Sequence, residues 1–235
     1  GYVDAYKAFN DEIFLNEAIE SAEFIYKSLT KNDGGLFHNY VNGKSKVNGY
    51  LEDYATIIQA SLDLYEITLN QKWIERALKL SEYVIKNFSN DDSALFYFTS
   101  KKDEELITRT IEFRDNVIPS SNSIMAKNLF KLYHYFDKQE YFDISKKMAL
   151  SVTNEFEVYP SGYSNWFDLI YNLKSKFYEV AIVGENAIDI ATELNKKYLP
   201  NKLVIGASTS NDLPLLQNRF INGKTLIYVL SLIHI

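Results

Sequence analysis

Apolar residues recur at near-helical spacing through most of the first 174 positions, and the few departures from that spacing carry turn signals. Residues 2–9 read as the last turns of a helix. Over 11–29, Ile13, Phe14, Ala18, Ala22, Ile25, Tyr26 and Leu29 fall close to a period of 3.6, which predicts an amphipathic helix. Asn32, Asp33, Gly34 and Gly35 end it, since glycine accepts the positive φ of a helix stop. Residues 36–41 and 44–47 flank Asn42-Gly43, the signature of a tight β-hairpin. Helices are then predicted over 50–68 and 73–88, and a second strand pair over 95–99 and 105–111. Pro119 fits the first turn of a helix running to Phe136, where its missing N–H costs nothing. Further helices are predicted over 141–156 and 162–173.

These elements repeat. Tyr6, Phe14, Ala18, Leu36 and Phe37 recur as Tyr65, Trp73, Ala77, Leu95 and Phe96, and a third copy begins with Tyr133 and Tyr141. One helix pair cannot bury its own apolar face, so a recurring pair must stack or close into a ring. The units are longer than common solenoid repeats and carry inserted hairpins, which predicts a mainly α fold: part of an (α/α)6 toroid of helical hairpins. After Lys174 the pattern changes. Strands over 177–183, 203–206 and 225–229, with a helix over 187–197, predict a small α/β extension at 175–235 packed on the toroid of 1–174.

Composition narrows the functions. The net charge of -6 offers no basic stripe for nucleic acid, nor for an anionic membrane surface. There is no apolar run long enough to span a membrane and no signal peptide, so a cytoplasmic protein is expected. Residues 1–6 read like the middle of a helix, which predicts that the chain is a fragment. With no cysteine and only His38, His134 and His234, neither a metal site nor any cofactor is expected. Aromatic residues make up 15%, and such rings fill cores or stack on sugars.

The richest polar stretch is 113–123, which brings Arg114, Asp115, Asn116, Pro119, Ser120, Ser121, Asn122 and Ser123 to the mouth of a helix. Backbone N–H groups there favour polar or anionic ligands. The matching point of the previous unit is Tyr50, Leu51, Glu52, Asp53 and Tyr54. In a toroid both segments lie at one rim, so Asp53 and Asp115 are the candidate acid and base, as sugar chemistry requires. Tyr54, Glu52, Arg114, Asn116, Pro119, Ser120, Asn122 and Ser123 are the candidate substrate-binding set. The competing reading is helix capping by Asp53 and Asp115, with Glu52 a surface or ion-pair residue. His38 and His134 lack a carboxylate at ligand spacing and read as structural. Gly184-Glu185-Asn186 reads as a strand-to-helix turn, and Trp73, Tyr83 and Phe88 as packing. Trp166, beside Asn165, is a candidate cavity wall, though core packing accounts for it better.

The segments Gly-Tyr-Leu-Glu-Asp-Tyr-Ala at 49–55, Phe-Tyr-Phe-Thr-Ser at 96–100 and Arg-Asp-Asn-Val-Ile-Pro-Ser-Ser-Asn-Ser at 114–123 carry a resemblance. Together with 180–184, 198–201 and 223–229, they resemble the C-terminal part of thioredoxin-domain-containing proteins of the spermatogenesis-associated protein 20 type. The resemblance implies a toroid similar to N-acylglucosamine 2-epimerases and six-hairpin glycosidases. It also implies a thioredoxin-like domain, outside this chain, as an intramolecular partner. Asp53, Tyr54, Asp115, Pro119, Ser120, Asn122 and Ser123 match its motifs; Ser121 stands where the family usually has Gly, and residues 230–235 depart from its ending. A carbohydrate ligand is thus expected. Three roles stay open: a sugar epimerase, isomerase or glycoside hydrolase; a non-catalytic glycan- or peptide-binding module serving the thioredoxin-like domain; or a purely structural role, against which the polar surplus from Arg114 to Ser123 argues.

Overall fold

The computed structural model describes residues 1–104 and 108–232. Three helical hairpins follow one another: α1 (Tyr2–Phe9) with α2 (Glu12–Leu29), α3 (Leu51–Thr68) with α4 (Lys72–Phe88), and α5 (Ser121–Phe136) with α6 (Gln139–Ser151). A seventh helix, α7 (Ser164–Lys174), packs beside α5 and α6. Helices α1, α3, α5 and α7 line one central cavity, so they form an inner wall while α2, α4 and α6 lie outside it. The fold is a partial α/α toroid with small inserted β-structure.

The sequence repeat has a structural counterpart at the foot of the inner helices α1, α3 and α5. Asn10, Leu69 and Asp137 each adopt a left-handed C-cap, with φ of 54°, 51° and 52°. Their N–H groups donate to the carbonyls of Tyr6, Tyr65 and Tyr133, the three repeated tyrosines. Each cap satisfies one of the terminal carbonyls that a helix end leaves free, and turns the chain into the outer helix. That outer helix then presents its own repeated aromatic, Phe14, Trp73 or Tyr141, to the core.

The first hairpin forms as expected, from β1 (Phe37–Val41) and β2 (Lys44–Asn48), with Asn42 and Gly43 both at positive φ. The second expected strand pair does not. Residues 95–99 form no strand, and residues 105–107 of its partner lie outside the described residues. Instead, the Asn122 side chain on α5 accepts from the Phe96 N–H at 2.8 Å and donates to the Phe96 carbonyl at 3.0 Å. An amide side chain thereby occupies the backbone groups that a neighbouring strand would use. Pro119 also falls outside the helix, two positions before its first residue: Ser120 is the N-cap of α5, accepting from the Ser123 N–H at 3.2 Å. The helix expected over 141–156 stops at Ser151 and continues as a 3-10 turn over Thr153–Glu155.

Beyond α7, β3 (Phe177–Val183) pairs in parallel with β4 (Lys202–Ala207) and antiparallel with β5 (Leu226–Leu232), and α8 (Ala187–Asn195) makes the crossover. Alternation along β3 separates its two faces. Phe177, Ala181 and Val183 join the toroid core, whereas Val180 and Ile182 pack under Ala187 and Ala191 of α8. Gly184 closes the strand at φ 135°, where a Cβ would come within 2.3 Å of the Lys224 carbonyl oxygen. No helix among the described residues is long and apolar enough to cross a membrane.

Candidate functional site

Helices α3, α5 and α7 all begin at one rim of the toroid, and the predicted site residues fall there in two separate clusters. At the start of α3, the Asp53 carboxylate accepts from the Tyr50 N–H at 2.8 Å and meets His38 Nδ1 of β1 at 2.9 Å. His38 therefore does have a carboxylate partner, contrary to the sequence reading, because β1 folds back over the α3 N-terminus. The hydrogen bond and charge of Asp53 hold the His38 imidazole above its ordinary value of 6.5. Glu52 beside it is half-buried and forms no ion pair among the described residues. Burial, reinforced by the charges of Asp53 and Glu112, raises its carboxyl above the usual range.

Glu112 was not among the expected residues. It reaches this rim from the loop before α5, where its carboxylate accepts from the Ser121 N–H at 3.1 Å, an anion held at a helix N-terminus. Half-buried rings lie beside these groups. Tyr50 stacks on Phe98 at 5.0 Å between centroids and meets His38 edge-on at 5.0 Å. Phe98 in turn accepts from the Leu51 N–H through its carbonyl. A signal for Glu112 existed in its place just before the polar stretch; its proximity to Glu52 is a tertiary fact.

The second cluster surrounds Asp115, which is buried. One carboxylate oxygen accepts from the Ser120 N–H at 2.9 Å and the Ser123 hydroxyl at 2.7 Å, and the other accepts from the Asn165 N–H at 2.9 Å. Asp115 thus ties the entry of α5 to the entry of α7. Asn122 ties the same entry to the loop below, donating also to the Glu112 carbonyl at 2.8 Å. Arg114 turns outward to the Tyr163 hydroxyl at 3.1 Å and to Glu155 at 2.9 Å. Asn116 and Pro119 are exposed. Tyr54 lies in the core, stacked on Tyr83 at 5.3 Å, and its oxygen accepts from the Leu36 N–H at 2.8 Å. Trp166 is fully buried and donates to the Phe113 carbonyl at 2.8 Å, so it is core and not cavity wall.

Below the rim, the inner helices enclose a cavity of about 610 Å³. Its walls carry Asp4 and Lys7 from α1, Asp63 and Glu66 from α3, Lys127 and Lys131 from α5, and Asp168 from α7; Lys196, Lys197 and Lys202 close its floor. Lys131 bridges Asp63 at 3.2 Å and Glu66 at 3.3 Å, and Lys7 reaches Glu66 at 3.6 Å. Burial acts to lower Lys131, but Glu66 and Asp63 outweigh it and hold the ammonium above its usual range. Lys127 pairs with Asp168. Among the described residues, no group of three His, Asp or Glu side chains is arranged to hold a metal ion.

No protein-family model matches the chain. It is 26% identical over 224 residues to an uncharacterised protein of Caenorhabditis elegans, covering 91% of this chain and 30% of that protein. It is 27% identical over 251 residues to spermatogenesis-associated protein 20 of Rattus norvegicus, covering 97% and 32%. The chain therefore spans about a third of the length of the curated relatives it matches. Among solved structures, a GH76 α-mannanase of Bacteroides thetaiotaomicron superposes with a TM-score of 0.57 at 16% identity, covering 83% of this chain and 53% of that one. The similarity to spermatogenesis-associated protein 20 and the six-hairpin glycosidase-like toroid agree with the resemblance carried by the motifs.

Proposed function

We propose that this chain forms part of the wall of a carbohydrate-binding toroid and that the sugar is modified at the rim where α3 and α5 begin. The observation that carries the reading is the meeting of Glu52, Asp53, Glu112 and His38 beside the half-buried rings of Tyr50 and Phe98. A carboxyl raised toward its protonated form, set beside further carboxyl groups and an aromatic platform, suits a ligand that is both hydroxylated and apolar-faced. The likeness in fold to an α-mannanase supports the same substrate class.

In this reading Glu52, raised toward the protonated form, is the proton donor. Asp53 acts with His38 as the base, since a carboxylate that raises an imidazole makes it a better proton acceptor near neutral pH. Asp115, with Ser120, Asn122 and Ser123, positions the rim loop: its carboxylate already accepts from three donors. Glu52→Gln and Asp53→Asn in the longer protein are expected to lower turnover of a sugar substrate by about 100-fold or more, with folding retained. Full turnover in both variants would remove the rim from the chemistry.

A second reading, a non-catalytic glycan- or peptide-binding module serving a thioredoxin-like domain, is favoured by exposed apolar side chains at the same rim. Val117 and Ile118 are 95% and 63% exposed, and Val158 and Tyr159 on the adjoining loop are exposed as well. Saturable binding without turnover of any sugar would decide for it.

A further inference from the structure

The chain as a whole is acidic, yet the cavity between the inner helices carries six lysines against four carboxylates. Three of the four carboxylates, all but Asp4, are already engaged by lysines. Asp63 and Glu66 are shared by Lys131 and Lys7, and Asp168 is taken by Lys127. Lys202 is left over. It is half-buried, its Nζ donates to the neutral Asn195 amide oxygen at 2.9 Å, and among the described residues it has no carboxylate partner. Burial lowers its ammonium below the usual range, and Lys7 and Lys131 push it further against the opposing pull of Glu66. Lys197 stands at the same floor, exposed and likewise without a carboxylate partner among the described residues.

An ammonium held in a half-buried cavity beside two others is costly unless an anion joins it. Lysines bind phosphate as point charges, and a phosphate carrying close to two negative charges gains more from several ammonium groups than a singly charged carboxylate does. The volume falls in the range of small-molecule sites. Lys131 lies ten residues along α5 from its first residue, which at about 1.5 Å per residue sets this place roughly 15 Å below the rim. It is therefore separate from the cluster of Glu52, Asp53, Glu112 and His38, none of which lines the cavity, although Pro119 and Asn165 carry the upper end of the cavity to the Asp115 cluster.

We propose that the toroid cavity binds a small phosphate-bearing molecule, with Lys202, Lys131 and Lys7 grouped around the phosphate and Lys197 adding its charge from the exposed side of the floor.

The test is calorimetric titration of the 235-residue chain with inorganic phosphate, glucose 6-phosphate, glucuronate and glucose, alongside thermal melts. Saturable binding of phosphate and tighter binding of glucose 6-phosphate are expected, each raising Tm. Lys202→Met should bind phosphate at least tenfold more weakly while melting no lower than the parent, because it removes an ammonium that lacks a counter-charge. Lys197→Ala, at an exposed position, should weaken binding several-fold without touching the core. Unchanged phosphate affinity in both variants would overturn the proposal, as would glucuronate binding as tightly as glucose 6-phosphate. Inorganic phosphate probes this site whether or not the rim takes a sugar, and glucose binding reports on the rim alone.

Discussion

At the scale of single residues, the two aspartates that look alike in the sequence do different work. Asp115 is buried with both oxygens accepting, so Asp115→Ala strands the Ser120 and Asn165 N–H groups, while the Ser123 hydroxyl keeps the Ser120 carbonyl as acceptor. Urea unfolding should show a loss of about 3 kcal/mol, the cost of burying such donors unpaired. Asp53 instead acts on His38. The folded imidazole titrates above its ordinary value, so the pair stabilises the fold below about pH 6.5 and loses that contribution as pH rises through the raised value. The gain is small because the His38 side chain is 38% exposed. NMR titration of His38 should return to near 6.5 in Asp53→Asn; an unmoved titration would break the pairing. The polar surplus around Asp115 was legible because it is local. The pairing of His38 with Asp53 and the approach of Glu112 to Glu52 were not, since both depend on loops folding back over a helix entrance.

Elements were legible where period and punctuation agreed, as in α2, α3, α4 and the β1–β2 turn. The misread strand at 95–99 shows the limit. Leu95, Phe96, Tyr97, Phe98 and Thr99 have strand-like composition, but their backbone is claimed by the Asn122 amide and by the Leu51 N–H. Asn122→Ala should therefore loosen the 95–100 segment, seen as faster amide exchange at Phe96 than at the α3 core. Exchange unchanged at Phe96 would show that the amide is dispensable. The repeated left-handed caps offer a second test. Asp137 is exposed at φ 52°, a conformation that glycine adopts without steric cost. Asp137→Gly should raise stability by about 0.5–1 kcal/mol in denaturant unfolding; a loss would mean that the aspartate side chain supports the cap.

For the whole molecule, the toroid was legible because the repeat registers one tyrosine in each of α1, α3 and α5, and that tyrosine marks the turn outward. The charge pattern of the cavity was not. Its lysines come from α1, α5 and the floor after α8, far apart in the chain and brought together by ring closure alone. The sheet of β3, β4 and β5 contributes a buried carboxyl group to the core face, Glu179, and α5 answers it with His134 Nδ1 at 2.6 Å. Breaking that buried pair with His134→Ala should destabilise the junction of sheet and toroid by about 3 kcal/mol, measured by thermal melting against the parent.

The rim reading is tested most directly by mapping amide shifts of the chain, and of the longer protein that contains it, during titration with a panel of neutral sugars that includes mannose. Saturable shifts are expected at His38, Tyr50, Glu52, Asp53, Phe98 and Glu112, lost in Glu52→Gln with Tm unchanged. Shifts confined to other surfaces, or none in either protein with any sugar of the panel, would contradict a carbohydrate site at the rim.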